Sequence, residues 1–350
     1  MSSHSLHLPV RLRYSDKALL TLAIGFSVAL FLTVGQVVLT PHDPQGAISI
    51  LTHAHPVLML LESAGLIAVT AAVGTLLIGS RLPDVGVLCV ALGLAITVVQ
   101  KDTAAYLLVA ADGSSDRSVA MGMAIESVLW SALFLAAILV SGWVMVFCGR
   151  SGGGVAIRRD GSGDTGHGGG DDSATGERHF SADDMAAAKL GRLSKSIGIT
   201  PGSEFNIGQL KITLLVAACA TLLYAVLVSG SSPRTIQHGQ TCFALFAAFY
   251  LAVWIVKTFG LSPASPLTVL AAVPLSAIIG YMWAMVQPGG AGRYAHLSHI
   301  PTSVFLRSLP LTYISVGVIG ALIGYWVIAD AAPRDSKRRA GRTKTSTRKR

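Results

Sequence analysis

Charge is what this sequence has least of. Asp, Glu, Lys and Arg make up 13% of its 350 residues, against roughly a quarter in soluble domains. With 52% hydrophobic residues and a mean hydropathy of +0.60, the chain cannot clothe a water-facing surface, which argues against a soluble enzyme or carrier. Cysteine is scarce too. Cys89, Cys148, Cys219 and Cys242 fall one per apolar segment with no CxxC among them, so neither a structural disulfide nor a cysteine-rich zinc site is expected. The common catalytic signatures are missing: there is no HExxH and no GxSxG, and the glycine-rich "SGGGVAIRRDG" is not GxxxxGK[ST]. No apolar segment carries a histidine in its middle, which argues against bis-histidine haem in a helix bundle.

Long apolar runs, by contrast, fill the chain. A hydrocarbon core of about 30 Å requires a helix of about 20 apolar residues. Seven runs meet that need: Ala18 to Thr40, Val57 to Ser80, Val119 to Cys148, Gln209 to Gly230, Thr241 to Lys257, Pro266 to Met285 and Pro310 to Ala329. An eighth, Val85 to Gln100, is shorter but uninterrupted by charge. The first run has no small-x-small cleavage site after it and reads as an uncleaved span. Lysine and arginine stay on the cytoplasmic side of membrane helices. Eight spans with both ends inside place 22 of the 27 basic residues there and leave Lys101, Arg117, Arg234, Arg293 and Arg307 outside. The expected fold is therefore all-α: a polytopic bundle in the cell membrane, eight spans as 4+4, both termini cytoplasmic.

The organisation follows the composition. Residues 1–149 form an N-terminal membrane half, 150–208 a cytoplasmic linker, 209–330 a C-terminal membrane half and 331–350 a basic tail. The linker opens with Gly, Ser and Asp and little that can be buried. It then changes to "SADDMAAAKLGRLSKSIG", where Ser181 can cap and Ala186, Leu190, Leu193 and Ile197 recur at helical spacing. This predicts a short amphipathic helix over 181–197, lying on the inner leaflet or docked on a partner protein. The tail "PRDSKRRAGRTKTSTRKR" has nine basic residues and one acid and is expected on anionic lipid, where each charge contributes about 1 kcal/mol; nucleic acid is the less favoured partner. A shift of about 187 lays one half on the other, "VVQK" at 98–101 on "MVQP" at 285–288. Parallel repeats of this kind occur in transporters, and two sets of four spans also match by length alone.

Candidate chemistry collects toward the outer side. In "SILTHAHPVLMLLESAG", His53 and His55 precede a span that carries Glu62, and Glu126 stands at similar depth in the fourth span. Ionisable groups inside a span are costly and mark ion or proton sites unless satisfied by neighbours; both glutamates are candidates for such a role. His53, His55, His296 and His299 with Met121 and Met123 form a candidate set for copper or zinc, since imidazole with thioether suits copper and imidazole with carboxylate suits zinc. Beyond that set no cofactor is expected. The ordinary reading stands beside it: loop histidines, packing methionines and glutamates held by local hydroxyls. Gly317, Gly320 and Gly324 form a close-packing face on the last span, for contact within the chain or between copies in an oligomer. Trp143, Trp326, Tyr106 and Tyr313 are read as interfacial belt residues, and Pro274 as a hinge or kink. "AHLSHIPTSVFLRSLP" is read as a surface loop or a cap on the bundle.

Architecture and two intramembrane acids together suggest a transporter or permease for a small solute or ion, rather than an enzyme. Two alternatives stand: a non-catalytic scaffold or subunit of a larger complex, and copper or zinc handling at the outer face.

Overall fold

The computed structural model describes residues 14–39, 48–51, 53–78, 84–99, 116–151, 207–229, 238–261, 265–286 and 303–327. They form eight helices: α1 Tyr14–Leu39, α2 Pro56–Ile78, α3 Val85–Val99, α4 Asp116–Ser151, α5 Ile207–Ser229, α6 His238–Thr258, α7 Pro266–Val286 and α8 Pro310–Val327. Seven are long and apolar enough to cross a membrane, and α3 is the shorter eighth. No strand occurs among the described residues. The chain is an all-α, multi-pass membrane helix bundle. The expected linker helix over 181–197 and the basic tail lie outside the described residues.

Local chemistry sets the helix ends. Pro56, Pro266 and Pro310 each occupy a first helical position, where proline's missing N–H costs nothing and its fixed φ suits the turn. At the other end of α6, Gly260 adopts φ 77°. Its N–H donates to Lys257 O at 2.8 Å, and Leu261 N donates to Val256 O at 3.2 Å. This pair of bonds needs a left-handed residue, which glycine supplies without strain. Within α7, Pro274 leaves the Leu270 carbonyl without its usual donor.

The bundle is apolar on both sides of its wall. Leu58, Leu61, Val69 and Leu76 of α2 and Trp143 and Phe147 of α4 are exposed, as a lipid-facing belt requires. Inside, glycines let helices close. A Cβ on Gly320 would lie 2.5 Å from Phe246 O, and one on Gly324 would lie 3.2 Å from Tyr250 O. The glycine face expected on the last span is therefore filled by α6 of the same chain, and Gly317 lies against Phe249 and Val273.

The first four and the last four helices each carry an interhelical hydroxyl bond. In the first set, Ser27 Oγ of α1 donates to Cys89 O of α3 at 2.6 Å. In the last, Thr221 of α5 pairs with Ser276 of α7 at 2.8 Å. Cys89 and Ser276 stand 187 positions apart, whereas Ser27 and Thr221 stand 194 apart. Gly93 and Gly280 share the offset of 187, and each receives a phenylalanine ring, from Phe31 and Phe305 respectively. A π-helical turn, Phe31–Gly35, interrupts α1 where it meets Gly93. The two sets join along α4 and α7, and again where Trp326 of α8 packs on the Ala23, Ile78, Val85 and Cys89 cluster.

Candidate functional site

Two buried ionic groups stand at the end of the bundle where α1 finishes and α2 begins. The first is Glu126 of α4, 1% exposed. Ser49 Oγ donates to its Oε2 at 2.7 Å, while Ile50 N and Trp130 Nε1 each donate to Oε1 at 3.1 Å. Three donors from the α1–α2 connection and the next helical turn thus converge on one carboxylate. A carboxylate held in this way is a structural tie, because its lone pairs are spoken for by the fold.

Glu62, the other candidate acid, does not face the bundle interior with Glu126. Glu62 is exposed on the same face as Leu58 and Leu61, whereas Met59, Ser63 and Leu66 carry the buried face of α2. Helical periodicity turns Glu62 outward from the bundle that encloses Glu126. The candidate metal set is dispersed as well. Met121 is 52% exposed and Met123 is 1% exposed, since residues two apart on a helix do not share a face. His53 is half-buried and His55 exposed. The His53 Nδ1 accepts the His55 backbone N–H at 3.2 Å, and the His55 carbonyl accepts Met59 N at 3.0 Å, so the pair shapes the entry to α2. His296 and His299 lie outside the described residues, among which no three His, Cys, Asp or Glu side chains converge as a metal would require.

The second ionic group is Arg307, which sequence reasoning left in a loop. The stretch Val304–Arg307 is a short 3-10 turn with Phe305 and Leu306 buried, so it caps the bundle rather than lying on its surface. Phe305 enters the space over Gly280, and Tyr281 Oη donates to Ser308 O at 2.8 Å. This docking carries Arg307 inward. Its Nε and Nη1 are buried with no hydrogen-bond partner among the described residues.

Around the turn lies an aromatic cluster. Tyr224 of α5 meets Phe305 at 5.9 Å and Tyr313 at 5.5 Å between ring centroids, and Tyr281 meets Tyr313 at 6.2 Å. Tyr313, expected in an interfacial belt, is instead 1% exposed, because Ser276 offers its hydroxyl a partner at 2.8 Å. The Tyr224 hydroxyl is different. It lies near Ser308 and within electrostatic reach of Arg307, yet it is fully buried with no bond of ordinary geometry to any described residue.

Below this cluster, hydroxyls continue along the α5–α7 contact. Tyr313, Ser276 and Thr221 link in series. Toward the opposite end, Thr213 Oγ1 donates to Thr268 O at 3.1 Å, and Thr268 Oγ1 donates to Gln209 Oε1 at 3.0 Å. The polar seam on the buried face of α5 is thus in two parts, Gln209 with Thr213 and Thr221 with Tyr224, separated by Val216, Ala217 and Ala220; Arg307 lies beside the second part.

No family model matches the chain, and neither a curated protein nor a solved structure matches it. The class stands on the fold alone: a multi-pass, all-α membrane protein.

Proposed function

We propose that this protein is a transporter or permease of the cell membrane for a small polar solute, with its path along the α5–α7 seam. One observation carries the reading: two groups of hydroxyls lie along the α5–α7 contact, Gln209, Thr213 and Thr268 toward one end and Thr221, Ser276 and Tyr313 toward the other, where a guanidinium has two unpaired nitrogens. Hydroxyl pairs such as Thr221 with Ser276 can exchange partners with a passing solute at little net cost, because each is both donor and acceptor. Internal repeats place solute sites at the interface between the repeats in known transporters, and Cys89 with Ser276 and Gly93 with Gly280 keep one offset of 187 between the two sets of helices.

The competing reading is a scaffold, in which the same hydroxyls serve only as interhelical ties. It is favoured by the close packing of α6 on α8. Cysteine accessibility separates the two. With Cys89, Cys148, Cys219 and Cys242 replaced by alanine, Thr213→Cys and Thr221→Cys are introduced singly and treated with a membrane-impermeant thiol reagent from either side. A water-reached path makes Thr221→Cys react within minutes. No reaction at either position from either side removes the path and leaves the scaffold.

A further inference from the structure

The donors at the head of the seam lack an acceptor. Arg307 presents two buried guanidinium nitrogens and Tyr224 a buried O–H, none with a hydrogen-bond partner among the described residues, and the buried carboxylate of Glu126 is already engaged by Ser49, Ile50 and Trp130. A guanidinium cannot shed its charge as a buried lysine can, so the desolvation cost stays until an anion arrives. We propose that Arg307 and Tyr224 form a binding site for a small organic carboxylate, the anionic group of the solute that enters the α5–α7 seam.

The lining selects the ligand class. Three donors match the lone pairs of one carboxylate. Tyr224 supplies one of these donors and its ring packs against Phe305 and Tyr313, so the donors border an aromatic cluster that suits a compact apolar or aromatic body. Inorganic phosphate fits poorly, because its further oxygens would face ring carbon. Arg307 as a whole is only half-buried, so part of the residue is open at the end of the bundle while its Nε and Nη1 are enclosed. The inference rests on the transport reading for the site's purpose, but the site itself needs no path through the membrane.

Equilibrium binding to the full-length protein in lipid nanodiscs tests it, by calorimetry and by thermal shift, with benzoate, acetate, inorganic phosphate and chloride as probes. Benzoate is expected to bind and raise the unfolding temperature, acetate to bind more weakly, and phosphate and chloride to have no effect. Arg307→Gln should abolish benzoate binding. Arg307→Lys should weaken it at least tenfold, because an ammonium lacks the planar donor array. Tyr224→Phe, which keeps the ring and the packing, should weaken it several-fold. Equal binding by the wild type and Arg307→Gln overturns the proposal. So does the absence of benzoate and acetate binding at millimolar concentration, or a preference for phosphate. Benzoate binding with an unreactive Thr221→Cys would retain the site and discard the path, whereas a reactive Thr221→Cys without carboxylate binding would do the reverse.

Discussion

Glu126 and Arg307 are both ionic, both drawn into the bundle at the same end, and treated in opposite ways. The first four helices spend a serine, a backbone amide and an indole on their carboxylate. The last four hold their guanidinium beside Tyr224 and give its Nε and Nη1 no acceptor among the described residues. Cys89 with Ser276 and Gly93 with Gly280 keep the same offset of 187 between the two sets, yet the two charges are treated differently. One set uses its buried charge to fix the connection before α2. The other leaves its charge available.

The largest expected effect breaks that contrast directly. Glu126→Ala strands three buried donors and should destabilise the protein by on the order of 2–4 kcal/mol, with a lowered unfolding temperature in nanodiscs. Arg307→Gln removes a charge that has no partner and should leave stability within about 1 kcal/mol of wild type. Equal losses in the two variants would mean that Arg307 is as structural as Glu126. Glu62→Gln, on the outward face of α2, belongs with Arg307→Gln in leaving stability nearly unchanged.

The glycines give the next effect. Gly320→Ala places a Cβ 2.5 Å from Phe246 O, against backbone that cannot swing aside, and should cost about 1–3 kcal/mol as α8 is pushed from α6. Gly280→Ala meets the Phe305 ring at 2.6 Å. It should dislodge the turn that holds Arg307 and so weaken benzoate binding along with stability. Gly65→Ala, with nothing within 4 Å, serves as the control and should raise stability slightly, since alanine favours helix. Unfolding temperatures of the three variants, measured together, check the order.

These contrasts were only partly legible in the sequence. The helices could be read because a bilayer demands apolar length, and even α3, with 15 residues, declared itself through lack of charge. The donors to Glu126 could not. Trp130 lies one turn away, but Ser49 and Ile50 stand 77 and 76 positions upstream, and no local pattern announces that meeting. Arg307 was lost for the reverse reason: a basic residue between apolar ones in a connection reads as surface until Phe305 is seen seated over Gly280. The GxxxG register of Gly320 and Gly324 announced a close contact, yet only the fold shows the partner to be α6. Tyr313 resembled a belt residue because it lies near the start of a span, and the buried hydroxyl waiting at Ser276 has no sequence signature.

The smallest effect concerns the second joint between the two sets of helices. At the opposite end from Glu126, Asp84 precedes α3, and its carboxylate accepts a hydrogen bond from Trp326 of α8. Burial pushes this carboxyl up from 3.8 to about 6, against the opposing pull of the Trp326 bond. The folded protein then holds this proton more tightly than the unfolded chain does. Asp84's stabilising contribution is fully present below its ordinary value of 3.8 and is lost as pH rises through about 6. The unfolding temperature in nanodiscs should therefore fall by a few degrees between about pH 5 and pH 7.5, and Asp84→Asn should flatten that part of the profile. Trp326→Phe removes the bond that favours the charged form and should move the midpoint further upward. If Asp84→Asn keeps the wild-type slope, the titration belongs elsewhere. A flattened slope would add a second difference to the comparison: the Glu126 end is tied by its own donors, while the Asp84 end loosens as its proton leaves.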